Sequence, residues 1–368
     1  MTESHQGTTP EFDAARLESY LKARLPGLSG PLRLERIGGG QSNPTFFASF
    51  DTRELVLRKK PAGDLLPSAH AIDREFRVMT ALRGTNVPVP DCLFYETDAA
   101  IIGTPFYVMD RLQGRVFPTY EAEGVSPADR RAMYRSMAET LAHLHAIDPA
   151  TVGLSDFGRP GSYFARQIAR WTKQYELSKT DPVPDIESLN AWLPNNIPEG
   201  ETTALCHGDF RLGNLMFHPT EPRVIAVLDW ELSTLGDPLA DLAFNAMAWR
   251  SRPEHYGGIA GLNHQALGIP TEEEHIADYV RAAKPTPGLW PFHFAFALWR
   301  FAVIFEGIAA RVRAGNAAAA NAADTLTLSR AFARQAMEAI DGPPPYAGSA
   351  EGARGNFEDG DRTCMTPP

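Results

Sequence analysis

Residues 207–214 read His-Gly-Asp-Phe-Arg-Leu-Gly-Asn, and a hairpin-length interval later the apolar run Val224–Leu228 ends in Asp229, Trp230 and Glu231. Phosphoryl transfer from Mg-ATP needs a carboxylate that orients an attacking hydroxyl and accepts its proton. It also needs an amide oxygen on the metal and a further carboxylate between metal and phosphates. Asp209, Asn214 and Asp229 are those groups in that order, and Arg211 could neutralise charge on the transferring phosphoryl. His-x-Asp alone is common, and an aspartate at a strand end is usually turn chemistry. The whole ordered set, H-x-D-x-x-x-x-N and then apolar-apolar-Asp, is what points to this chemistry.

Two further segments fit a nucleotide. Gly38, Gly39, Gly40, Gln41, Ser42 and Asn43 lie between two strand-like runs, where glycines let backbone N–H groups approach phosphate oxygens. The spacing is neither GxGxxG nor a Walker A loop, and Pro44 stiffens its end. The run VLRKK offers Arg58, Lys59 and Lys60, and strand alternation does not say which cation faces a nucleotide. Arg58 paired with Glu75 of the following helix is the favoured clamp. Asp237, before Pro238, reads as a helix N-cap. Asp241 sits among apolar neighbours, where an unpaired charge is costly, and is expected to anchor the His207–Asp209 backbone. His207 is expected to be a scaffold residue and Cys206 a buried apolar one. The aromatic run 289–305 reads as core rather than a cage for a quaternary amine, and His143 with His145 lacks a third metal ligand.

The positioning elements follow from periodicity. Residues 11–25 and 71–83 repeat apolar positions at helical spacing; LRLERI, FFASF, ELVLR, CLFYET and PFYVM read as strands. Ser126-Pro127 opens a helix to about residue 145. Helices are expected at 162–178 and 186–193, with DPVPD as a breaker between them. A β-type block spans 203–229, and helices follow from Asp237-Pro238, from a Thr271/Glu274 capping box, over 289–313 and over 316–340. The expected fold class is α+β: a tail and helix (1–29), a β-rich nucleotide-binding lobe (30–112), a larger mainly helical catalytic lobe (113–340) and a Pro/Gly-rich disordered tail (341–368).

Composition excludes other classes. The 368 residues carry 45 acidic and 35 basic side chains, a net charge of −10, which disfavours nucleic-acid and anionic-membrane partners. Cys92, Cys206 and Cys364 form no C-x-x-C pair, which fits a reducing compartment. The N-terminal residues show no secretory pattern, and no uncharged apolar run reaches the ~18 residues of a membrane span. The expected location is cytoplasmic; composition leaves the oligomeric state open.

The motifs HGDFRLGN and LDWE resemble those of the aminoglycoside phosphotransferase/choline kinase family, the small-molecule branch of the two-lobed protein-kinase-like fold, over roughly residues 30–340. The resemblance implies that Asp209 is the catalytic base, that Asn214 and Asp229 are Mg2+ ligands, and that Asp241 anchors the loop. It implies an adenine hinge over Met109, Asp110, Arg111 and Leu112, with ATP and Mg2+ as cofactors. The wording GGGQSNPTF and HPTEPRVIAVLDWELSTLGDPLADLA is similar to the kinase domain found fused to acyl-CoA dehydrogenases, which implies a hydroxyacyl-CoA or related hydroxylated metabolite as acceptor. An aminoglycoside or choline-type kinase is the alternative, although the C-terminal helices show no acidic cluster for a cationic substrate. A protein kinase is disfavoured by the absence of an H-R-D arginine and of an A-P-E segment. A catalytically silent nucleotide-binding module is the alternative from another class. Arg58 departs from the lysine that protein kinases use.

Overall fold

A computed structural model describes residues 12–38, 43–61, 71–179, 181–283, 288–313 and 322–342. Gly39, Gly40, Gln41 and Ser42, residues 316–321 and the tail from 343 lie outside the described residues. So do the expectations that fall on them.

The N-terminal part is a five-stranded antiparallel sheet with order β1-β2-β3-β5-β4. Its strands are β1 (Arg33–Arg36), β2 (Thr45–Ser49), β3 (Glu54–Lys59), β4 (Cys92–Glu96) and β5 (Phe106–Asp110). Helix α1 (Ala14–Arg24) covers one face, where Leu17 and Leu21 pack with Phe46, Leu55, Leu57 and Phe106. Helix α2 (Ile72–Leu82) covers the other face and packs Val78 and Met79 beside Tyr107. Because successive residues of a strand point to opposite faces, β3 sends Lys59 with Leu55 and Leu57 toward α1 and leaves Arg58 to the α2 side. Lys59 Nζ lies 5.9 Å from the Phe12 ring centre.

The C-terminal part is helical, with short strands inserted. β6 (Arg115–Val116) leads to α3 (Pro127–Ala146), α4 (Tyr163–Ser178) and α5 (Pro184–Trp192). Then come β7 (Ala204–Cys206), β8 (Leu215–Phe217), β9 (Val224–Val227) and β10 (Thr234–Gly236). Helices α6 (Pro238–Ala246), α7 (His264–Leu267), α8 (Glu272–Ala282), α9 (Pro291–Arg313) and α10 (Ala322–Asp341) complete the chain. The expected β block is two separate sheets: β7 pairs with β10, while the β8–β9 hairpin adds β6. β6 and β10 are two and three residues long, too short for period-2 alternation to register.

The capping signals act as read. Ser126 Oγ accepts from Asp129 N, Asp237 accepts from Leu239 N, and Thr271 with Glu274 makes both bonds of a capping box. DPVPD differs from its expectation: Pro184 is the first residue of α5, so the segment opens the helix instead of only breaking the previous one. α9 is long and apolar enough to cross a bilayer by composition, but it lies buried against α4, α6 and α10 and carries Arg300 and Glu306 inside.

Candidate active site

The HGD loop runs from β7 to β8. Asn214 Nδ2 donates to both the backbone oxygen and Oδ2 of Asp209, each at 2.8 Å, so the five-residue spacing closes one turn on itself. Arg211 Nε lies 3.6 Å from Asp209 Oδ2. Leu228 N donates to Asn214 O at 2.8 Å, which brings Asp229, the next residue, beside that turn. Asp229 adopts a left-handed backbone, φ 63°, uncommon for a residue with a Cβ and typical of strained functional positions.

Arg58 crosses from β3 to meet this group. Its Nε lies 2.8 Å from Glu75 Oε2, and its Nη2 donates to Asp229 Oδ1 at 3.1 Å. Glu75 is buried and also accepts from Asn43 Nδ2 (2.7 Å) and Tyr107 Oη (3.1 Å). Burial works against the charge of Arg58, but Glu75 first, then Tyr107 and Asp229, outweigh it, so its pKa ends raised and the guanidinium stays charged. Arg58, not Lys59, therefore faces the HGD loop.

A buried scaffold holds the loop from below. Asp241, on α6, accepts from His207 N (2.5 Å) and Gly208 N (2.9 Å). Burial alone would raise its pKa; the His145 side chain and the loop N–H groups outweigh that, and the carboxyl is held below its ordinary value. His207 Nδ1 accepts from Asp209 N at 3.2 Å, which fixes the proton on Nε2, 2.9 Å from Leu228 O. The imidazole thus ties the Asp209 strand to the Asp229 strand.

Sequence reasoning missed several partners. Arg300 Nη2 donates to Gly208 O (2.6 Å), and Asn245 Nδ2 donates to Phe210 O (3.1 Å). His145, set aside as a metal ligand, stands 3.5 Å from Asp241 Oδ2 and 2.8 Å from Tyr279 Oη. Its ring nitrogen, the Cys206 thiol and Asp241 all lie within 4.8 Å of one another, where burial pushes the Cys206 thiol up. A lone arginine or asparagine in an otherwise apolar helix is the signal that could have found Arg300 and Asn245, since neither is left unpaired in a core.

Residues 109–112, expected from the resemblance to form the adenine hinge, lie at the end of β5 and just beyond it. Asp110 is gripped by Arg53 Nε and Nη2, both at 2.8 Å. The Arg111 guanidinium stacks 3.7 Å from the Phe47 ring centre, and Arg111 N donates to Glu54 O. Met109 pairs with Val56 across β3, and Leu112 follows the strand. The Asn214 amide oxygen and the Asp229 carboxylate are hard oxygen donors of the kind Mg2+ takes, so the donor set fits that ion.

The profile of the phosphotransferase enzyme family matches residues 33–274, about two-thirds of the chain. The chain belongs to the phosphotransferase enzyme family. The chain is 45% identical to a protein from Ralstonia eutropha, described as a candidate aminoglycoside phosphotransferase, whose crystal structure superposes with a TM-score of 0.81 over 89% of this chain and 98% of that one. It is 44% identical over 327 residues to mouse acyl-CoA dehydrogenase family member 10, covering 88% of this chain and 30% of that protein. It is also 43% identical to the Arabidopsis thaliana probable acyl-CoA dehydrogenase IBR3, covering 80% and 38%. The chain thus spans about a third of the length of these curated relatives. Aminoglycoside phosphotransferase APH(4)-Ia, solved with AMP-PNP and hygromycin B, is 18% identical with a TM-score of 0.58 over 90% of this chain and all of that one, a likeness of fold: a β-sheet N-lobe and a helical C-lobe.

Proposed function

We propose that the protein moves the γ-phosphoryl group of ATP to a hydroxyl of a small molecule, with a hydroxyacyl-CoA or related hydroxylated metabolite as acceptor. The observation that carries this is Arg58, which spans from Glu75 to Asp229 and so ties the cation of β3 to the segment that Leu228 N bonds to the HGD turn. The acyl-CoA dehydrogenase names of relatives that contain this segment support the acceptor class. Two free cysteines, Cys92 and Cys206, support a reducing compartment such as the cytoplasm.

In this reading Asn214 holds one oxygen of Asp209, leaving Oδ1 to accept the proton of the attacking hydroxyl. The bond from the γ-phosphorus to the bridging oxygen breaks, a bond to the acceptor oxygen forms, ADP leaves, and the proton passes from Asp209 to solvent. Arg58, held charged, and the 39–43 segment take the phosphates, and residues 109–112 take the adenine. Arg211 faces the transferring group. Asn214 and Asp229 would hold Mg2+, which when bound supplies positive charge against the phosphates. Asp241 and His207 keep the loop in register.

The test is ADP release from Mg-ATP across hydroxyacyl-CoAs, aminoglycosides and choline, with Asp209→Ala as blank. Release with hydroxyacyl-CoA alone, absent in the variant, is expected. Release with none, from protein that binds Mg-ATP, would leave a catalytically silent nucleotide-binding module.

A further inference from the structure

Beside Arg211 lies an open cleft of about 420 Å³, solvent-open space included, of whose lining the sequence motifs mark Arg211. Its walls are aromatic and apolar, with Tyr120, Phe244, Met247, Tyr256 and Phe301 among them, and its polar groups include Arg211 and His255. No carboxylate lines it among the described residues. Gln335 Oε1 accepts from Ser251 Oγ (2.9 Å), so its Nε2 must donate to His255 Nδ1 (3.1 Å). That leaves the Nε2–H as the donor of the His255 ring. Arg211 Nε is buried without a hydrogen-bond partner among the described residues. The lining thus offers donors and one guanidinium, whose carboxylate partner Asp209, 3.6 Å away, is outside the lining; within the cleft that suits oxygen acceptors over an ammonium.

Tyr256 forms the outer wall. Its backbone is left-handed, φ 58°, which is strained for an aromatic residue. The segment is pinned there by His255 N to Arg252 O (2.8 Å), Gly257 N to Pro253 O (3.1 Å) and Ala260 N to Ser251 O (2.8 Å). Gly258 allows the close return, since a Cβ there would lie 1.9 Å from Ser251 O. The ring, half exposed at 49%, packs edgewise on Phe301 (5.5 Å) and Phe305 (5.4 Å) and stands 5.6 Å from the Arg211 guanidinium.

We infer that this cleft is the acceptor site, that it takes an uncharged or anionic alcohol with an apolar arm, and that Tyr256 selects for the arm. The inference rests on the phosphotransfer reading above and deepens it. Arg211, 3.6 Å from Asp209, sets the hydroxyl close to the oxygen-rich head. The arm then runs along Tyr256, Phe301 and Met247.

The test uses the full chain and Mg-ATP, following ADP release with β-hydroxy acids bearing alkyl tails of increasing length and with β-amino alcohols bearing the same tails. Each methylene buried should raise kcat/KM about fourfold, and the amino alcohols should be roughly tenfold poorer beside the guanidinium. Tyr256→Gly removes the ring without backbone strain and should flatten the tail-length dependence through KM; Tyr256→Phe should restore it. Equal use of both series, a preference for amino alcohols, or a slope unchanged in Tyr256→Gly would overturn the inference while leaving phosphotransfer intact. ADP release with neither series while a hydroxyacyl-CoA still supports it would overturn this inference alone; release with none of the three, from protein that binds Mg-ATP, would overturn the phosphotransfer reading and this one with it.

Discussion

Asp209→Ala separates chemistry from scaffolding at the proposed base. In the native loop Asn214 Nδ2 donates to both the side chain and the backbone oxygen of Asp209 at 2.8 Å. The substitution removes the first bond and keeps the second. Its stability cost is therefore that of one partly exposed hydrogen bond, about 1 kcal/mol, or a Tm shift of about 1–2 °C for a chain of this size. Arg211 loses a carboxylate 3.6 Å away but keeps its position beside Tyr256. Arg58, Glu75 and Asp229 are untouched, so affinity for Mg-AMP-PNP should hold. Removing a general base costs about 10²–10⁴ in turnover, roughly 3–5 kcal/mol in the barrier. The assay pairs kcat from ADP release with calorimetric nucleotide binding and thermal unfolding. Turnover within tenfold of the native protein would refute the role of Asp209. A collapse in Tm with a parallel loss of binding would show that the residue holds the loop instead.

Three more perturbations follow from the same contacts. Glu75→Gln leaves Arg58 with Asp229 as its closest charged partner and should weaken Mg-ATP binding about tenfold, roughly 1.4 kcal/mol by titration calorimetry; an unchanged Kd would refute the clamp. Asp241→Ala strands the buried N–H groups of His207 and Gly208, at about 1–3 kcal/mol each, so urea unfolding should show a loss of about 2–6 kcal/mol. A loss under about 1 kcal/mol would mean that water or another acceptor replaces the anchor. Burial pushes Asp237 from 3.8 up to about 6. The folded chain then binds that proton more tightly than the unfolded one, so this residue's contribution to stability falls as pH rises from about 4 to about 6. Asp237→Asn retains a cap acceptor and should gain on the native protein by about 2–3 kcal/mol across that window; a pH-independent difference would contradict this.

What the sequence determined by itself is what lies within one turn or one pleat. The Asp209–Asn214 spacing closes a loop through two hydrogen bonds between neighbours. Ser126, Asp237 and Thr271 cap helices because a side-chain oxygen two or three residues before a free N–H meets it in any context. Strand alternation separated Arg58 from Lys59 but left both faces eligible, because a pleat has no knowledge of what covers it. Only the packing of α1 on one side and α2 on the other sent Arg58 to Glu75 and Asp229. The same holds for Arg300, Asn245 and His145. They come from α9, α6 and α3, and they reach the HGD loop and its Asp241 anchor only once burial of apolar surface has brought those helices together. The cleft beside Arg211 is likewise a product of tertiary structure: its lining is drawn from the 118–120 segment, α6, the 251–258 loop, α9 and α10. Short-range hydrogen bonding and periodicity are written in adjacent residues, whereas a site assembled across distant elements depends on non-directional packing that no local spacing encodes.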